Sequence, residues 1–393
     1  MAHYTPRFTG QNQNYIDWII AAVIAAIGTL AWQYAEKKER RWIDNDKLYY
    51  WFRTIIRYRL AIGVFAYGFI KLFPVMSPYP SISNLNTEYG YYTDWKIFAL
   101  SLGVVPGYES FLGLVEVLAA ALLLYRRTAS IGAFILLFFI GNIFFSNLAY
   151  DGGEYMYSFY LFTLAVAVFS YDADRLYTLT IGGKPASPNT FKPLFKEKLK
   201  YIRIGLKAFV LLFFVLLYGT QVSQVYHKGG YKYPVSKGLP NAEGIYNVSS
   251  FVINKDTLAY SLTDPVRWKN VVFEKWATIS ILTNRPVIVD TDNIERVSIA
   301  NSDRNFEEEE AGSRLYYSYI IDSLNHRLYL KNKNSHYPGD SLQLNYSMPS
   351  DGKIILSGID SQKDSINVLL DKIDKKYLLE EAAKKGRRRA IKI

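Results

Sequence analysis

The chain has 393 residues, a formal net charge of +11 and no cysteine, and hydrophobic residues make up 50% of it. The lack of cysteine excludes disulfides, a thiolate nucleophile and cysteine-ligated zinc or iron–sulfur sites. The length allows two domains, and the change from apolar to polar composition near residue 225 predicts a transmembrane helical domain over 1–225 followed by a soluble part.

Six apolar stretches occupy the first 225 residues, each near the ~20 residues that a helix needs to cross the hydrocarbon core. They lie at 15–34, 58–76, 107–125, 129–149, 155–171 and 206–225. These stretches predict a membrane α-helical bundle of about six transmembrane helices. The first is expected to be retained, because it lacks the basic start and the small-residue cleavage site of a signal peptide.

Basic residues are concentrated in alternate loops of this bundle. The segments 37–59, 126–127 and 175–203 hold 17 Lys and Arg residues, whereas the opposite loops hold only Arg7 and Lys96. The positive-inside rule therefore places the N-terminus outside, and six crossings return residues 226–393 to the same side. In a bacterium this predicts a multi-pass protein of the inner (cytoplasmic) membrane with a periplasmic C-terminal domain.

Two motifs within residues 55–171 carry a family resemblance. Residues 59–72 read RLAIGVFAYGFIKL, and residues 113–118 read GLVEVL, followed by a leucine run and the pair Arg126-Arg127. In the order and spacing of these motifs the chain resembles the DoxX family of small four-helix membrane proteins. The resemblance implies quinone-linked oxidation, oxidative-stress complexes or membrane partners, without implying one reaction.

Polar side chains inside the apolar stretches form the candidate functional site. The set is Arg59, Tyr67, Lys71, Glu109, Glu116, Asn142 and Asn147. The first three recur every four residues together with Gly63, so they share a helix face that is expected to turn into the bundle. Glu116 either pairs with a cation and fixes helix register, or lines an outward-facing pocket that binds a ligand. Both Glu109 and Glu116 are available to Lys71.

The sequence contains no recognisable catalytic set or metal site. Its four histidines are His3, His227, His326 and His336. All lie outside the apolar stretches, so the bundle has no candidate haem ligand, and a redox role would need a noncovalent quinone or a partner subunit. Asp290, Asp292 and Glu295 lack the loop pattern of an EF-hand and are interpreted as a solvated turn.

Residues 244–374 show the alternating pattern and turn residues that are typical of β-strands. The candidate strands are 244–254, 271–282, 286–290, 295–300, 313–321, 326–332, 341–347, 353–358 and 365–371, with hairpin turns at 322–325 and 350–352. This order predicts an all-β, antiparallel soluble domain, closed as a small barrel or folded as a sandwich. A barrel of this size holds a small apolar ligand or is filled by its own side chains.

Three further segments flank or interrupt these domains. Residues 226–243 are expected to form a linker, and residues 375–393 a basic tail, helical or disordered, that lies on lipid or docks on a partner. The Pro-interrupted loop 74–106 is expected to cap the mouth of the bundle or to pack beneath the exported domain. The four glutamates Glu307–Glu310 are expected in an exposed loop.

Two functions fit these features. In the first, the chain is an accessory or scaffold subunit of the inner membrane whose β-domain binds an envelope protein. In the second, it binds a quinone or lipid and performs redox-linked or transfer chemistry with Glu116 and Lys71. We favour the first, non-enzymatic function because of the lack of a catalytic set, the large exported domain and the basic tail. The expected partners are membrane lipid and an envelope protein, and nucleic acid is not expected. A transporter is less favoured, because no inverted repeat is seen.

Overall fold

The computed structural model describes residues 15–37, 45–187, 197–291, 301, 304–349, 352–385 and 390. The chain forms two compact units. The helical unit lies within Met1–Pro74 and Gly107–Gln224, and the barrel unit lies within Val75–Pro106 and Val225–Ile393. Residues 75–106 thus belong with the barrel although they lie inside the range expected for the helical domain. The chain consequently passes between the two units three times.

The helices are, in chain order, α1 (Tyr15–Lys37), α2 (Asn45–Leu72), α3 (Ile82–Leu85), α4 (Asp94–Gly103), α5 (Pro106–Leu124), α6 (Ala129–Ala149), α7 (Tyr155–Ser170), α8 (Ala173–Thr180), α9 (Glu197–Val210), α10 (Tyr218–Lys228) and α11 (Leu378–Lys385). A 3-10 turn lies at Tyr89–Tyr91, and a π-helical segment, Leu211–Leu217, joins α9 to α10. The predicted apolar stretches at 107–125 and 129–149 match α5 and α6 within a residue at each end.

The helical unit has the composition of a membrane bundle. Among the described residues, four helical segments are long and apolar enough to cross a membrane: α1, α5, α6 and the continuous run Tyr201–Lys228. Helices α7 and α8, bent by 60° at the break between them, would make a fifth. Helix α2 is not among them, because its apolar half still contains Arg57, Arg59 and Lys71. The number of spans therefore depends on α2 and on the α7–α8 pair.

The strands are β1 (Gly244–Ile253), β2 (Asp256–Thr257), β3 (Asn270–Phe273), β4 (Thr278–Leu282), β5 (Arg314–Asp322), β6 (Arg327–Asn332), β7 (Ser341–Ser347), β8 (Lys353–Asp360) and β9 (Ser365–Lys372). From β3 onward each strand pairs with the next, all antiparallel, while β1 pairs with β3 and with β9. Eight strands thus close a barrel, and β2 only extends one end of β1. Of the two predicted all-β architectures, the barrel is the one observed.

The barrel is filled by its own side chains. Every second residue along the strands points inward, and these positions carry large apolar groups such as Tyr246, Phe273, Ile279 and Leu356, each at most 1% exposed. An eight-stranded barrel has an interior just wide enough for such a filling. Leu239 and Ala242, from the segment expected to be a linker, also belong to this core.

Most predicted strands are confirmed within two residues of their ends. The range 271–282 is instead two strands, β3 and β4, joined through Glu274–Ala277. The range 286–290 is not a strand, and Pro286 at its start cannot donate a ladder hydrogen bond. The turn at 322–325 is confirmed, because Asp322 Oδ1 accepts hydrogen bonds from the backbone of Leu324 and Asn325. The predicted strand 295–300 and most of the turn at 350–352 lie outside the described residues.

Residues 75–106, called here the inter-helix segment, pack on the outer surface of the barrel. Backbone hydrogen bonds join Thr93 N to Glu310 O and Gly312 N to Tyr91 O. Under the inter-helix segment, the outward-facing residues Thr278, Ser280, Arg314 and Tyr316 on β4 and β5 are almost completely buried. The loop therefore packs against the β-domain.

Candidate functional site

The centre of the predicted site in the helical unit is a buried ion pair. Lys71 Nζ on α2 donates to Glu116 Oε1 on α5 over 2.6 Å. The two residues are 8% and 2% exposed, so the pair is shielded from solvent. Removing either partner would leave a buried charge unpaired, which is costly at such a position. Glu116 Oε2 is also buried and accepts no hydrogen bond from the described residues.

Glycines determine how closely the two helices of this pair approach. A Cβ on Gly113 of α5 would overlap the backbone nitrogen of Leu72 and lie 2.6 Å from Gly68 O on α2. A Cβ on Gly68 would in turn lie 3.2 Å from Glu116 Cβ. Small residues allow this backbone contact between membrane helices. The contact lies within one helical turn of Glu116 and so brings its carboxylate to Lys71.

The remainder of the predicted polar face turns toward α7 instead of α5. The guanidinium carbon of Arg59 lies 5.3 Å from the ring centre of Tyr160, and the rings of Tyr67 and Tyr157 are 5.6 Å apart. Gly63 lies between them, and a Cβ there would come within 2.8 Å of the Tyr157 hydroxyl. The stripe at four-residue spacing therefore faces the bundle interior, with Lys71 directed to a different neighbour.

Of the other three predicted residues, two are buried and one is exposed. Glu109, in the first turn of α5, and Asn147, near the end of α6, are both buried. Asn147 Nδ2 donates to the carbonyl of Ile143 on its own helix over 2.8 Å. Asn142, in contrast, is exposed on the outer surface of the helical unit. It lies on a different face of α6 from the buried Asn147.

The arrangement around Lys71 and Glu116 does not fit a quinone. Lys71 Nζ is engaged with Glu116 Oε1, and the Gly113 contact leaves no gap between the two backbones for a ring. The barrel interior is likewise filled. Neither place has the apolar-walled pocket with convergent donors that small-molecule sites use.

A second polar cluster, at the surface between the inter-helix segment and the barrel, was not predicted. Glu274, just after β3, accepts hydrogen bonds from the backbone nitrogens of Ile82 and Ser83 at 3.2 and 2.7 Å and from the Ser83 hydroxyl at 2.6 Å. Ser83 Oγ also lies 2.7 Å from Ser280 Oγ, which accepts from Arg314 Nε. Burial raises the pKa of Glu274 to about 7. This cluster attaches the start of α3 to β3 and β4.

The four-glutamate run forms part of the same buried surface, so the prediction of an exposed loop is wrong for Glu307. Its Oε1 accepts from Lys333 Nζ at 2.7 Å, Thr278 Oγ1 at 2.9 Å and Trp276 Nε1 at 3.1 Å. Lys333 and Thr278 come from distant parts of the chain. They provide the charge and the donors that make burial of a carboxylate possible.

Lys96, on α4 of the inter-helix segment, is buried beside this run. Its Nζ donates to the backbone carbonyl of Phe306 and lies 3.6 Å from the centre of the Phe306 ring. Burial lowers the pKa of Lys96 to about 8, although neighbouring glutamates act to raise it. A cavity of about 40 Å³ adjoins it, lined also by Trp95, Lys232 and Glu310. This volume suits a water or a small ion, since drug-sized ligands need roughly 300 Å³ or more.

The histidine and acidic residues considered for metal binding do not form a metal site among the described residues. His336 Nε2 lies 2.8 Å from Asp290 Oδ1, and both side chains are exposed. Asp292 and Glu295 lie outside the described residues, as does His3. A pair of this kind on the surface contributes little to stability.

Comparison with known proteins yields one limited similarity. No known family profile matches the chain, and no solved structure matches it. The chain is 35% identical over 97 residues to an uncharacterised protein, YwoB, of Bacillus subtilis (strain 168). The match covers 24% of this chain and 59% of that relative. The resemblance to the DoxX family therefore stays a prediction.

Proposed function

We propose that the chain is a non-catalytic scaffold of the bacterial inner membrane, in which a DoxX-like helical unit anchors a periplasmic β-barrel that binds another envelope protein. The observation that carries this proposal is a row of exposed side chains across the outer face of the barrel. In this row Ile320 of β5 pairs with Tyr329 of β6, Tyr329 with Gln343 of β7, and Gln343 with Ile359 of β8.

Side chains at paired positions of neighbouring strands point to the same side of a sheet. Ile320 is 72% exposed, Ile359 42% and Tyr329 39%. At about 4.8 Å per strand the row is roughly 14 Å wide. Leu324, in the turn that joins β5 to β6, is 94% exposed and extends the same apolar area. Three members of the row are apolar or aromatic, and Gln343 lies between Tyr329 and Ile359. Exposed apolar groups on one face mark interaction surfaces, and tyrosine is enriched where binding energy concentrates.

The interior features favour a structural role for the rest of the chain. The Lys71–Glu116 pair is closed between two helices in backbone contact, and the barrel is filled. Both arrangements are closed and leave no room for a substrate between their side chains. A scaffold needs these properties, because its function is to present a surface in a fixed conformation.

The membrane topology belongs to the same proposal. Four helical segments, or five with the α7–α8 pair, have the length and composition of a span. With α2 added as a further span the proposal has six crossings, and the positive-inside rule then favours a barrel on the side opposite the basic loops. Lys96, one of the two cations counted on that side, is buried in the barrel unit.

Site-specific photocrosslinking in the native membrane tests the proposal. A benzophenone amino acid is placed at Ile320 or Ile359, with the exposed Asn247 of β1, on the far side of the closed barrel, as the control. We expect the same envelope protein to be crosslinked from both row positions and not from Asn247. A protein that crosslinks nothing from the row, yet retains a quinone or isoprenoid in native mass spectra, would contradict the scaffold and favour a ligand site.

A further inference from the structure

We propose that α6 is a homodimer interface, in which Asn142 hydrogen-bonds to Asn142 of a second copy of this chain within the membrane. The proposal does not depend on the scaffold function. It rests on the position of one carboxamide in an otherwise apolar, outward-facing stripe.

The two faces of α6 differ sharply. Gly132, Ala133, Leu136 and Ile140 are buried within the helical unit. The opposite face shows exposed side chains at three- and four-residue spacing: Ile131, Phe134, Phe138, Asn142 and Phe145. Spacing of this kind places the five residues on one side of the helix. Asn142 is the polar member of this stripe.

The position along the helix puts the amide inside the hydrocarbon layer. Asn142 lies 13 residues after Ala129, about 20 Å along a helix of 21 residues at 1.5 Å per residue. The hydrocarbon core is about 30 Å thick, so the amide lies between its centre and its outer boundary. No described residue hydrogen-bonds to this side chain, and Phe138 and Phe145 on either side of it are 65% and 66% exposed.

An amide in this environment is costly unless it finds a partner. A carboxamide both donates and accepts hydrogen bonds, so two of them are mutually complementary. All copies of the chain insert with the same orientation, and a twofold axis along the membrane normal brings identical residues together at the same depth. A second copy therefore supplies the needed polar group automatically. An unrelated helix would need a polar residue at the same depth.

The cysteine-free chain makes disulfide scanning a direct test. Single cysteines replace Phe138 or Phe145 in the stripe, and Leu118, an exposed residue of α5, is the control for random collisions. Oxidation of native membranes should give dimers for Phe138→Cys and Phe145→Cys but not for Leu118→Cys. Dimers formed equally at Leu118, or absent from both stripe positions, would overturn the proposal.

Substitution of Asn142 identifies the interaction itself. In Asn142→Leu, energy transfer between labelled copies in liposomes should show a dimer affinity weakened about tenfold, the scale of an interhelical hydrogen bond. Asn142→Gln keeps the carboxamide and should retain most of the affinity. An unchanged affinity in Asn142→Leu would show that the amide does not join the two copies.

Discussion

Ser83 of the inter-helix segment donates two hydrogen bonds to one carboxylate oxygen of Glu274, from its backbone nitrogen and from its hydroxyl, across 191 residues of sequence. Glu274 is 2% exposed and is the main polar attachment of the start of α3 to the barrel. The attachment therefore depends on the protonation state of a buried acid.

Docking of the inter-helix segment should weaken as the pH rises from about 5 to 8. Burial raises the pKa of Glu274 from 4.5 to about 7 in the docked state. The docked state thus binds this proton more tightly than the undocked state does. The contribution of Glu274 to docking is therefore complete below pH 4.5 and is lost as the pH rises through 7. The shift corresponds to up to about 3 kcal/mol. Hydrogen exchange at Ile82 and Ser83, expressed as protection factors, measures this loss.

The control for that experiment is Glu274→Gln. Glutamine cannot titrate, so the pH dependence that Glu274 causes should disappear. The protection factors of Ile82 and Ser83 should then stay nearly constant over the same pH range. Protection should also be lower at pH 5, because the glutamine Nε2 that replaces Glu274 Oε2 is a donor and cannot accept from Ile82 N. A variant that keeps the wild-type slope would assign the pH dependence to another group.

Lys71→Met should destabilise the helical unit by about 3–5 kcal/mol, because it leaves the Glu116 carboxylate buried without a counter-charge. The double substitution Lys71→Met with Glu116→Leu removes both charges and should recover most of that loss. Unfolding in detergent, followed by circular dichroism, measures the difference. If the folded double variant loses all biological activity while partner crosslinking at Ile320 persists, the pair has a chemical role that the scaffold proposal lacks.

Gly113→Ala should destabilise the helical unit by about 1–3 kcal/mol, because the new methyl overlaps the backbone of Leu72 and forces α2 and α5 apart. Gly107→Ala on the same helix is the matched control, since a Cβ there meets no atom within 4 Å. That change should be neutral or stabilising, as alanine is the better helix former. Equal losses in the two variants would show that the close contact is unimportant.

Ile320→Lys should leave the stability of the barrel within about 0.5 kcal/mol of the wild type, because the side chain is on the surface. It should nevertheless abolish crosslinking of the envelope partner from Ile359. Leu330→Lys, at a neighbouring position that points into the core, should instead prevent the barrel from folding. Undiminished crosslinking in Ile320→Lys would place the partner elsewhere on the barrel.

Several features of this protein follow from local sequence alone. Apolar runs of membrane length define α5 and α6, and alternation of polar and apolar residues defines β1 and β5–β9. The four-residue spacing of Arg59, Gly63 and Tyr67 is enough to predict a face that turns into the bundle. Such features depend on residues a few positions apart in the chain, so the periodicity of the sequence is enough to predict them.

Other features required the tertiary structure. The sequence left both Glu109 and Glu116 open as partners of Lys71, and the glycine contact between α2 and α5 selects Glu116. Burial of Glu307 and Glu274 was unforeseen, because Lys333 and Ser83 reach these carboxylates only in the folded chain. Considered alone, a run of glutamates and a polar loop predict solvent exposure. In the folded chain, donors from distant positions form hydrogen bonds to the two carboxylates. These bonds offset the cost of desolvation, so Glu307 and Glu274 are buried.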